Sequence, residues 1–305
     1  MKKLKEFFYL AIWWTRAVFF GRRKPLQSVI FISDRCNLSC KHCAVYNHRN
    51  PQSKTYAQIR EELAYCYAQG SRFVDFEGGE PFLWRGTDEN GTECNVNDLC
   101  RLARSMGFFS CTITTNAQEP FDGSVADSIW VSMDGVGDYH DLVRGKGAFA
   151  RLEKNIATCG CKDLSANMVV NTLNHESLVA AIEYVKQNPY LKSLSVNLHT
   201  PFPGTEELAL PKPLRDKVLD TVLEYKKRGY PIMNSKSGLK KMRSNNFKKR
   251  CWMTNFIYTD GIRSAQCIGA DMNLCGQCGF CMAGEEASIF ALCPDTLLAG
   301  LKLRA

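Results

Sequence analysis

The chain has 305 residues, of which 45% are hydrophobic and 23% are charged, an ordinary composition for a globular protein that buries a core. This composition excludes a mostly disordered chain, and the length allows one large α/β domain with a small appendage. The formal net charge of +8 at pH 7 comes without a recognition helix, an RNA-binding signature or a zinc-finger spacing, so we expect no nucleic-acid partner.

Fifteen cysteines are a high count for this length. Their odd number argues against a simple disulfide framework, and their concentration in two tight clusters argues for metal ligation. Because thiolate ligation of iron belongs to a reducing compartment, the predicted location is the cytoplasm.

Residues 4–20 form an aromatic-rich segment with basic residues on both sides. We predict an amphipathic N-terminal helix within residues 1–24, too short for a comfortable membrane span, which takes about 20 apolar residues. Two interpretations stay open. Either residues 4–24 make a peripheral contact with anionic lipid on the inner face of the membrane, or the helix packs against the main domain. A secretion signal is a third interpretation, but no small-residue cleavage site follows the segment.

After this helix, short β-branched or apolar runs alternate with stretches at helical spacing. The predicted strands are 28–33, 73–76, 111–115, 129–133, 166–172 and 194–198. The predicted helices between them include 56–69, 96–106, 149–158 and 176–187. This alternation predicts a parallel sheet with helical crossovers, an open partial (βα)6 TIM-like barrel over residues 25–234. Residues 235–305 are predicted to form a small cysteine-rich extension.

The first cysteine cluster follows the first strand directly and consists of Cys36, Cys40 and Cys43. Three thiolates can ligate three irons of a [4Fe–4S] cube, which normally takes four cysteines. Such a site leaves one iron open to a small molecule, as catalytic metal sites do. A zinc site completed by His42 or His48 is the alternative.

This C-x3-C-x2-C spacing resembles the defining motif of the radical S-adenosylmethionine (SAM) superfamily. Further segments, each after a predicted strand, are similar to the superfamily's SAM-binding motifs, and their candidate cofactor-binding residues are Gly78, Gly79, Glu80, Asn116, Ser132, Asp134 and Arg144. Residues without Cβ atoms let backbone approach a ligand. The resemblance implies that Glu80 accepts the methionine ammonium, that the segment of Ser132 and Asp134 lies near the ribose, and that Arg144 pairs with the methionine carboxylate.

The resemblance implies an enzyme with a [4Fe–4S] cluster whose open iron is chelated by SAM. An electron, supplied by a small flavodoxin- or ferredoxin-type protein, then cleaves SAM and yields a 5′-deoxyadenosyl radical. The cofactor performs the difficult chemistry, and the protein positions it and excludes competing reactions.

The second cluster consists of Cys251, Cys267, Cys275, Cys278 and Cys281. With Asp260-Gly261 as a predicted hairpin turn, it resembles a SPASM or twitch extension, which implies an auxiliary [4Fe–4S] cluster. The expected ligands are Cys251, Cys267 and two of the last three cysteines. A structural zinc site is the alternative, because the two metals share such ligand sets.

Three functions stay open from the sequence. The N-terminal segment favours modification of a lipid or membrane-associated substrate. The segment His140-Asp-Leu-Val-Arg-Gly145 and the tail cysteines favour maturation of a peptide or cofactor. A third hypothesis, of another class, is a non-catalytic iron–sulfur electron carrier or scaffold.

Overall fold

The computed structural model describes residues 2–43, 50–161 and 164–302. Its strands are β1 (Gln27–Ser33), β2 (Phe73–Gly78), β3 (Gly86–Thr87), β4 (Glu93–Cys94), β5 (Ser110–Thr115), β6 (Ser128–Ser132), β7 (Leu164–Val170), β8 (Leu191–Leu198), β9 (Thr254–Ile257) and β10 (Arg263–Ser264). Its helices are α1 (Lys2–Phe19), α2 (Tyr56–Gln69), α3 (Val96–Ser105), α4 (Asp138–Arg144), α5 (Ala148–Thr158), α6 (Leu178–Gln187), α7 (Lys212–Lys227), α8 (Lys236–Ser244), α9 (Ile268–Asp271), α10 (Met282–Phe290) and α11 (Pro294–Lys302).

One sheet of eight strands has the order β10–β9–β1–β2–β5–β6–β7–β8, while β3 and β4 pair only with each other. Every pair in the large sheet is parallel except β9 with β10. The six strands predicted from the sequence are all present, so the α/β class with a parallel sheet is confirmed, and the arrangement is consistent with a partial barrel. The structure adds the hairpin β9–β10, which turns at Asp260-Gly261 as predicted, and joins it to the same sheet.

Local sequence explains where the helices begin. The Thr55 hydroxyl caps α2 by accepting from the Gln58 N–H, and the Gln58 side chain accepts from the Thr55 N–H. Asn95 and Asp98 form the same reciprocal cap at the start of α3. Such caps satisfy backbone N–H groups that have no partner inside the helix.

The two faces of the parallel sheet differ because successive strand residues point to opposite sides. In β8, Leu194, Val196 and Leu198 are buried in the core against the helices, whereas the intervening residues are half-buried. The face opposite the helices carries polar side chains among apolar ones. There Thr114 donates to Asp75, and Asn197 donates to Asn167 over 2.8 Å. Polar side chains therefore line part of this face.

The N-terminal helix α1 packs against the domain through one face. Trp13 is buried, donates its indole N–H to the Lys24 carbonyl over 2.8 Å, and contacts the rings of Trp252 and Phe290. The hydroxyl of Tyr9 donates to the Gly70 carbonyl. This face of the helix therefore packs against the main domain. Among the described residues, no helix has the length and apolar composition to cross a membrane.

The cysteine-rich tail contacts both the first and the last strand of the run β1–β2–β5–β6–β7–β8. At one end β9 pairs with β1, and at the other the Leu198 N–H in β8 donates to the Gly279 carbonyl over 2.9 Å. A Cβ atom on Gly279 would lie 1.9 Å from the Leu198 carbonyl oxygen, so only glycine permits this approach. The tail therefore reaches the carboxyl end of β8, where the chemistry of parallel sheets is normally found.

Candidate functional site

The first three cysteines lie on the loop that leaves the carboxyl end of β1. Cys36, Cys40 and Cys43 are half-buried, and no disulfide joins them. The Asn116 side-chain amide lies 3.6 Å from the Cys36 sulfur, and Arg144 Nη1 lies 3.9 Å from the Cys40 sulfur. The loop is thus held by groups that follow β5 and β6. His48, the alternative zinc ligand, lies outside the described residues.

Burial makes the thiolate forms of two of these cysteines costly. Desolvation raises the pKa of Cys40 to about 11, and the neighbouring Arg144 cation offsets only part of this effect. Desolvation also raises the pKa of Cys36, partly offset by a backbone hydrogen bond at Leu38. Thiols in such surroundings ionise readily only when a metal replaces the proton.

Gly78 and Gly79 bring the end of β2 against the backbone that leads into the cysteine loop. A Cβ atom on Gly78 would lie 2.2 Å from the Ser33 carbonyl oxygen, and one on Gly79 would lie 2.2 Å from that of Arg35. The N–H of Gly79 donates to Ser33, and that of Glu80 donates to Arg35. The space beside these glycines is therefore filled by the protein's own backbone, at the place where the sequence predicted the approach of a ligand.

The Glu80 carboxylate joins the β2 loop to the end of β5. It is 1% exposed and accepts hydrogen bonds from the Thr115 hydroxyl (2.8 Å), the Asn116 N–H (2.7 Å) and the Phe82 N–H (3.0 Å). Burial raises the pKa of Glu80 to about 7 despite these donors. A cation bound beside Glu80 would favour the ionised carboxylate and lower this pKa.

Asp134 and Arg144 form a buried ion pair beside Cys40. Arg144 Nε donates to Asp134 Oδ2 over 2.6 Å, and the Val169 N–H donates to Oδ1 over 2.8 Å. Burial, the largest single effect, raises the pKa of Asp134, but the Arg144 charge, His42 and the Val169 N–H together outweigh it, so the net direction is downward. The residues expected at the ribose and at the methionine carboxylate are thus each other's partner. Ser132, the last residue of β6, lies two positions before Asp134 and is half-buried.

Two histidines complete this cluster. His42 Nε2 lies 3.4 Å from Asp134 Oδ2, and His140 Nδ1 accepts from the Asp134 N–H over 3.1 Å. Desolvation lowers the pKa of each imidazole to about 4, so both are neutral at pH 7. His42 Nδ1 and His140 Nε2 are buried without a hydrogen-bond partner among the described residues. His42 lies within the C-x3-C-x2-C segment, and His140 begins the segment that ends at Gly145. The spacing of residues along the sequence does not predict that both contact Asp134.

The tail brings some of its cysteines together. The thiols of Cys251 and Cys267 are hydrogen-bonded, which raises the pKa of Cys251 and lowers that of Cys267 to about 6. Cys278 is close enough to influence the pKa of Cys251, and Cys275 that of Cys278. Cys281 is 1% exposed, and its N–H donates to Asn197 Oδ1 over 2.8 Å.

No group of three or more Cys, His, Asp or Glu side chains within residues 2–43, 50–161 and 164–302 is arranged around a point where one metal ion would bind. A [4Fe–4S] cube is a larger group, in which each cysteine binds a different iron.

The two cysteine regions lie at the same edge of the sheet. The Thr259 hydroxyl in the tail hairpin donates to Asp34 Oδ1 over 2.6 Å, two residues before Cys36. At the other end, the ring centroids of His42 and His199 are 6.5 Å apart, and the Gly279 N–H donates to Thr200 next to His199. The tail therefore borders the first cysteine loop on two sides.

A protein-family model described as the Radical SAM superfamily matches residues 30–185, just over half of the chain. The chain belongs to the radical SAM superfamily of enzymes. This membership implies a [4Fe–4S] cluster and SAM as cofactors. Three half-buried cysteines on one loop, the buried Glu80 carboxylate and the unpartnered nitrogen of His42 fit such a pair of groups.

Two curated relatives illustrate how far the radical SAM similarity extends. The probable GTP 3′,8-cyclase of Methanocella arvoryzae is 26% identical over 199 residues, which cover 60% of this chain and 61% of that protein. The tRNA-2-methylthio-N(6)-dimethylallyladenosine synthase of Klebsiella pneumoniae is 30% identical over 108 residues, 35% of this chain and 23% of that protein. This radical SAM chain thus spans less than two thirds of either relative.

Two solved radical SAM structures share the fold. Streptococcus suis SuiB bound to its precursor peptide SuiA superposes with a TM-score of 0.62 at 16% identity, over 85% of this chain and 62% of that one. The structure of anSMEcpe with bound AdoMet and the Kp18Cys peptide gives a TM-score of 0.55 at 17% identity, over 78% of this chain and 73% of that one.

Proposed function

We propose that this chain holds a [4Fe–4S] cluster on Cys36, Cys40 and Cys43 and binds SAM beside it at the carboxyl edge of the sheet. When bound, these groups supply a 5′-deoxyadenosyl radical that attacks the substrate. The observation that carries the proposal is the convergence of Asn116 and Arg144 on the sulfurs of the cysteine loop. Hydrogen-bond donors near ligating sulfurs orient the ligands and tune the metal.

The surrounding residues have distinct tasks in this proposal. Glu80, held by three hydrogen bonds, presents its carboxylate to the methionine ammonium, whose charge favours the ionised form. Arg144 neutralises the thiolate of Cys40 and offers its remaining guanidinium N–H groups to the methionine carboxylate. Ser132 and Asp134, at the end of β6, lie where the ribose is expected. Gly78 and Gly79 fix the β2 loop against the cysteine loop through backbone hydrogen bonds.

We further propose an auxiliary [4Fe–4S] cluster in the tail, of the SPASM or twitch type. The proximity of Cys251, Cys267 and Cys278, with Cys275 next to Cys278, supports these four as its ligands. Zinc is the competing occupant. Anaerobically reconstituted protein should contain about eight irons per chain if both clusters form, and about four with one zinc if the tail binds zinc.

A peptide is the substrate that we favour. SuiB and anSMEcpe were both solved with peptides, and the hydrogen-bonding pairs on the sheet face opposite the helices could bind the polar groups of a peptide. None of the four relatives named above has a lipid in its name, so a lipid substrate, the first expectation from the sequence, has only the exposed face of α1 in its favour. Because of that face, we keep a second proposal, in which the cytoplasmic enzyme makes a peripheral contact with the inner face of the membrane.

The substrate class can be read from the mass of 5′-deoxyadenosine. Reconstituted protein with SAM and dithionite is incubated with fully deuterated peptide or lipid fractions from cells of the source organism. A radical that abstracts substrate hydrogen transfers deuterium to 5′-deoxyadenosine only from the correct fraction. Deuterium from the peptide fraction supports the proposal, and deuterium from the lipid fraction alone reverses it.

The alternative of a non-catalytic iron–sulfur carrier makes a separate prediction: the clusters reduce and reoxidise, but SAM is not cleaved. In the enzyme, we propose that a small flavodoxin- or ferredoxin-type protein supplies the electron. Replacing dithionite by a reduced flavodoxin should sustain cleavage of SAM.

A further inference from the structure

A cavity of about 260 Å³ lies between α1 and the segment that follows it. Its lining residues are Tyr9, Ile12, Trp13, Arg16, Arg22 and Lys24. Three of the six are cationic and none is acidic. Arg16, Arg22 and Lys24 are exposed, and no carboxylate among the described residues forms an ion pair with them. Because like charges that share a cavity repel, an anion bound there would relieve the repulsion.

The polar groups of the aromatic residues are already used inside the protein. The Trp13 indole N–H donates to the Lys24 carbonyl, and the Tyr9 hydroxyl donates to the Gly70 carbonyl. These bonds fix α1 against residue 24 and so hold the three cations around one space. The cations remain as the groups that can bind a ligand, and their chemistry selects a phosphate or a similar oxyanion.

The cavity borders an uncovered apolar face of α1. At 100° per residue, the exposed large side chains fall on one side of the helix, with Ile12 at the edge of the cavity, and they are Leu4, Phe7, Phe8, Ile12, Val18 and Phe19, continued by Phe20 after the helix. Phe19 and Phe20 are each 71% exposed. Isolated exposed apolar residues are normal, but a continuous face of this kind marks an interaction surface.

We propose that this face docks on a membrane rich in anionic phospholipid, with the phosphate of one headgroup held by Arg16, Arg22 and Lys24. Aromatic and aliphatic side chains of an interfacial helix enter the headgroup–acyl boundary, and adjacent cations meet the headgroups. The three cations complement the negative charge of an anionic lipid surface. A second copy of the chain is disfavoured, because docking through the same face would place its cations against these and they would repel. The inference deepens the proposed membrane contact and is independent of the cluster and SAM sites.

The test is sedimentation of the full reconstituted protein with vesicles of phosphatidylcholine alone or in equal parts with phosphatidylglycerol. Wild type should bind the mixed vesicles and bind pure phosphatidylcholine only weakly. The triple variant R16Q/R22Q/K24Q should lose on the order of 100-fold in affinity, since each basic residue near an anionic surface contributes roughly fivefold. The control K217Q/K227Q/K240Q removes three exposed charges from α7 and α8 and should bind like wild type.

Several outcomes overturn the inference. The first is equal vesicle binding by the two triple variants, and the second is equal binding of wild type to both vesicle types. The third is that inorganic phosphate binds the protein in a calorimeter but does not release it from vesicles. Dimerisation lost in a Phe8→Ser/Phe19→Ser variant that still binds vesicles would assign the face to a second copy instead. SAM cleavage is measured on the same samples. If SAM is cleaved but vesicles are not bound, this inference alone fails. If vesicles are bound but SAM is not cleaved, the proposed radical chemistry fails and this inference is supported.

Discussion

Arg144 Nε lies 2.6 Å from Asp134 Oδ2, and the other end of the same guanidinium lies 3.9 Å from the sulfur of Cys40. Asp134 is fully buried, and Arg144 is 8% exposed. This ion pair therefore connects the end of β6 to the cysteine loop through a single side chain. The His42 imidazole, in the same loop, also lies 3.4 Å from Asp134 Oδ2, so two side chains join this carboxylate to the cysteine loop.

Removing the guanidinium should be strongly destabilising. Arg144→Ala leaves the Asp134 carboxylate buried without its charged partner, and such losses cost about 3–5 kcal/mol. Arg144→Lys keeps the charge but not the forked geometry, so we expect an intermediate loss. Chemical denaturation of the iron-free protein measures both. The exposed pair Arg243–Asp220 is the matched control, and Arg243→Ala should cost less than about 1 kcal/mol. Equal losses at the two positions would contradict this account.

Gly79→Ala should move the β2 loop away from the cysteine loop. The new methyl would lie 2.2 Å from the Arg35 carbonyl oxygen, so the backbone must shift and the Glu80 N–H to Arg35 bond must weaken. We expect a loss of stability of about 2–4 kcal/mol, in the range of overpacked cores, together with reduced iron incorporation. Gly276→Ala places its methyl where no atom lies within 4 Å and should change neither quantity. Full iron content in Gly79→Ala would show that the close approach is dispensable.

The contribution of Glu77 to stability should fall as the pH rises from about 4.5 to 7. Burial in the barrel interior, beside Asp75, raises the pKa of Glu77 to about 7 from an ordinary value of 4.5. The folded state therefore holds a proton that the unfolded state has already released in this window, and the sign of the linkage is negative. Because Glu77 is partly open to the interior, we expect a loss of only about 1–2 kcal/mol. When the free energy of unfolding is plotted against pH, Glu77→Gln should give a less negative slope than wild type between these pH values. An unchanged slope would refute the assignment.

The tail ligands are distinguished by counting iron in single variants. Cys267→Ser removes a thiol in contact with Cys251 and should lose about four of eight irons per chain. Cys281 is buried and tied to Asn197 through its N–H, so Cys281→Ser should keep the full count if the ligands are those proposed above. Loss of four irons in Cys281→Ser would move the fourth ligand from Cys275 to Cys281.

The sequence predicted the six strands well because each is a short β-branched or apolar run that precedes a helix. It did not predict β9 joining β1, since Thr254 pairs with Gln27 across more than two hundred residues and a four-residue strand carries little pattern. The site residues were found as motifs, but their mutual contacts were not. Spacing gives no sign that Arg144 and His42 both contact Asp134, because those contacts depend on how α4 and the cysteine loop pack around the end of β6.

The N-terminal helix shows the same limit. Its aromatic residues occur all around the helix, so periodicity could not separate the packed face of Tyr9 and Trp13 from the exposed face of Phe7 and Phe8. Residues far along the chain decide which aromatic rings are covered: Phe109 contacts Tyr9, and Trp252 and Phe290 contact Trp13.

The central claim is tested most directly by measuring 5′-deoxyadenosine formed from SAM and dithionite by anaerobically reconstituted protein. Wild type and the control Cys293→Ser should both produce it, and the variant with Cys36, Cys40 and Cys43 all changed to alanine should not. If the triple variant still cleaves SAM, or if wild type with a full complement of iron forms no product, the assignment of the radical chemistry to the β1 cysteine loop is wrong.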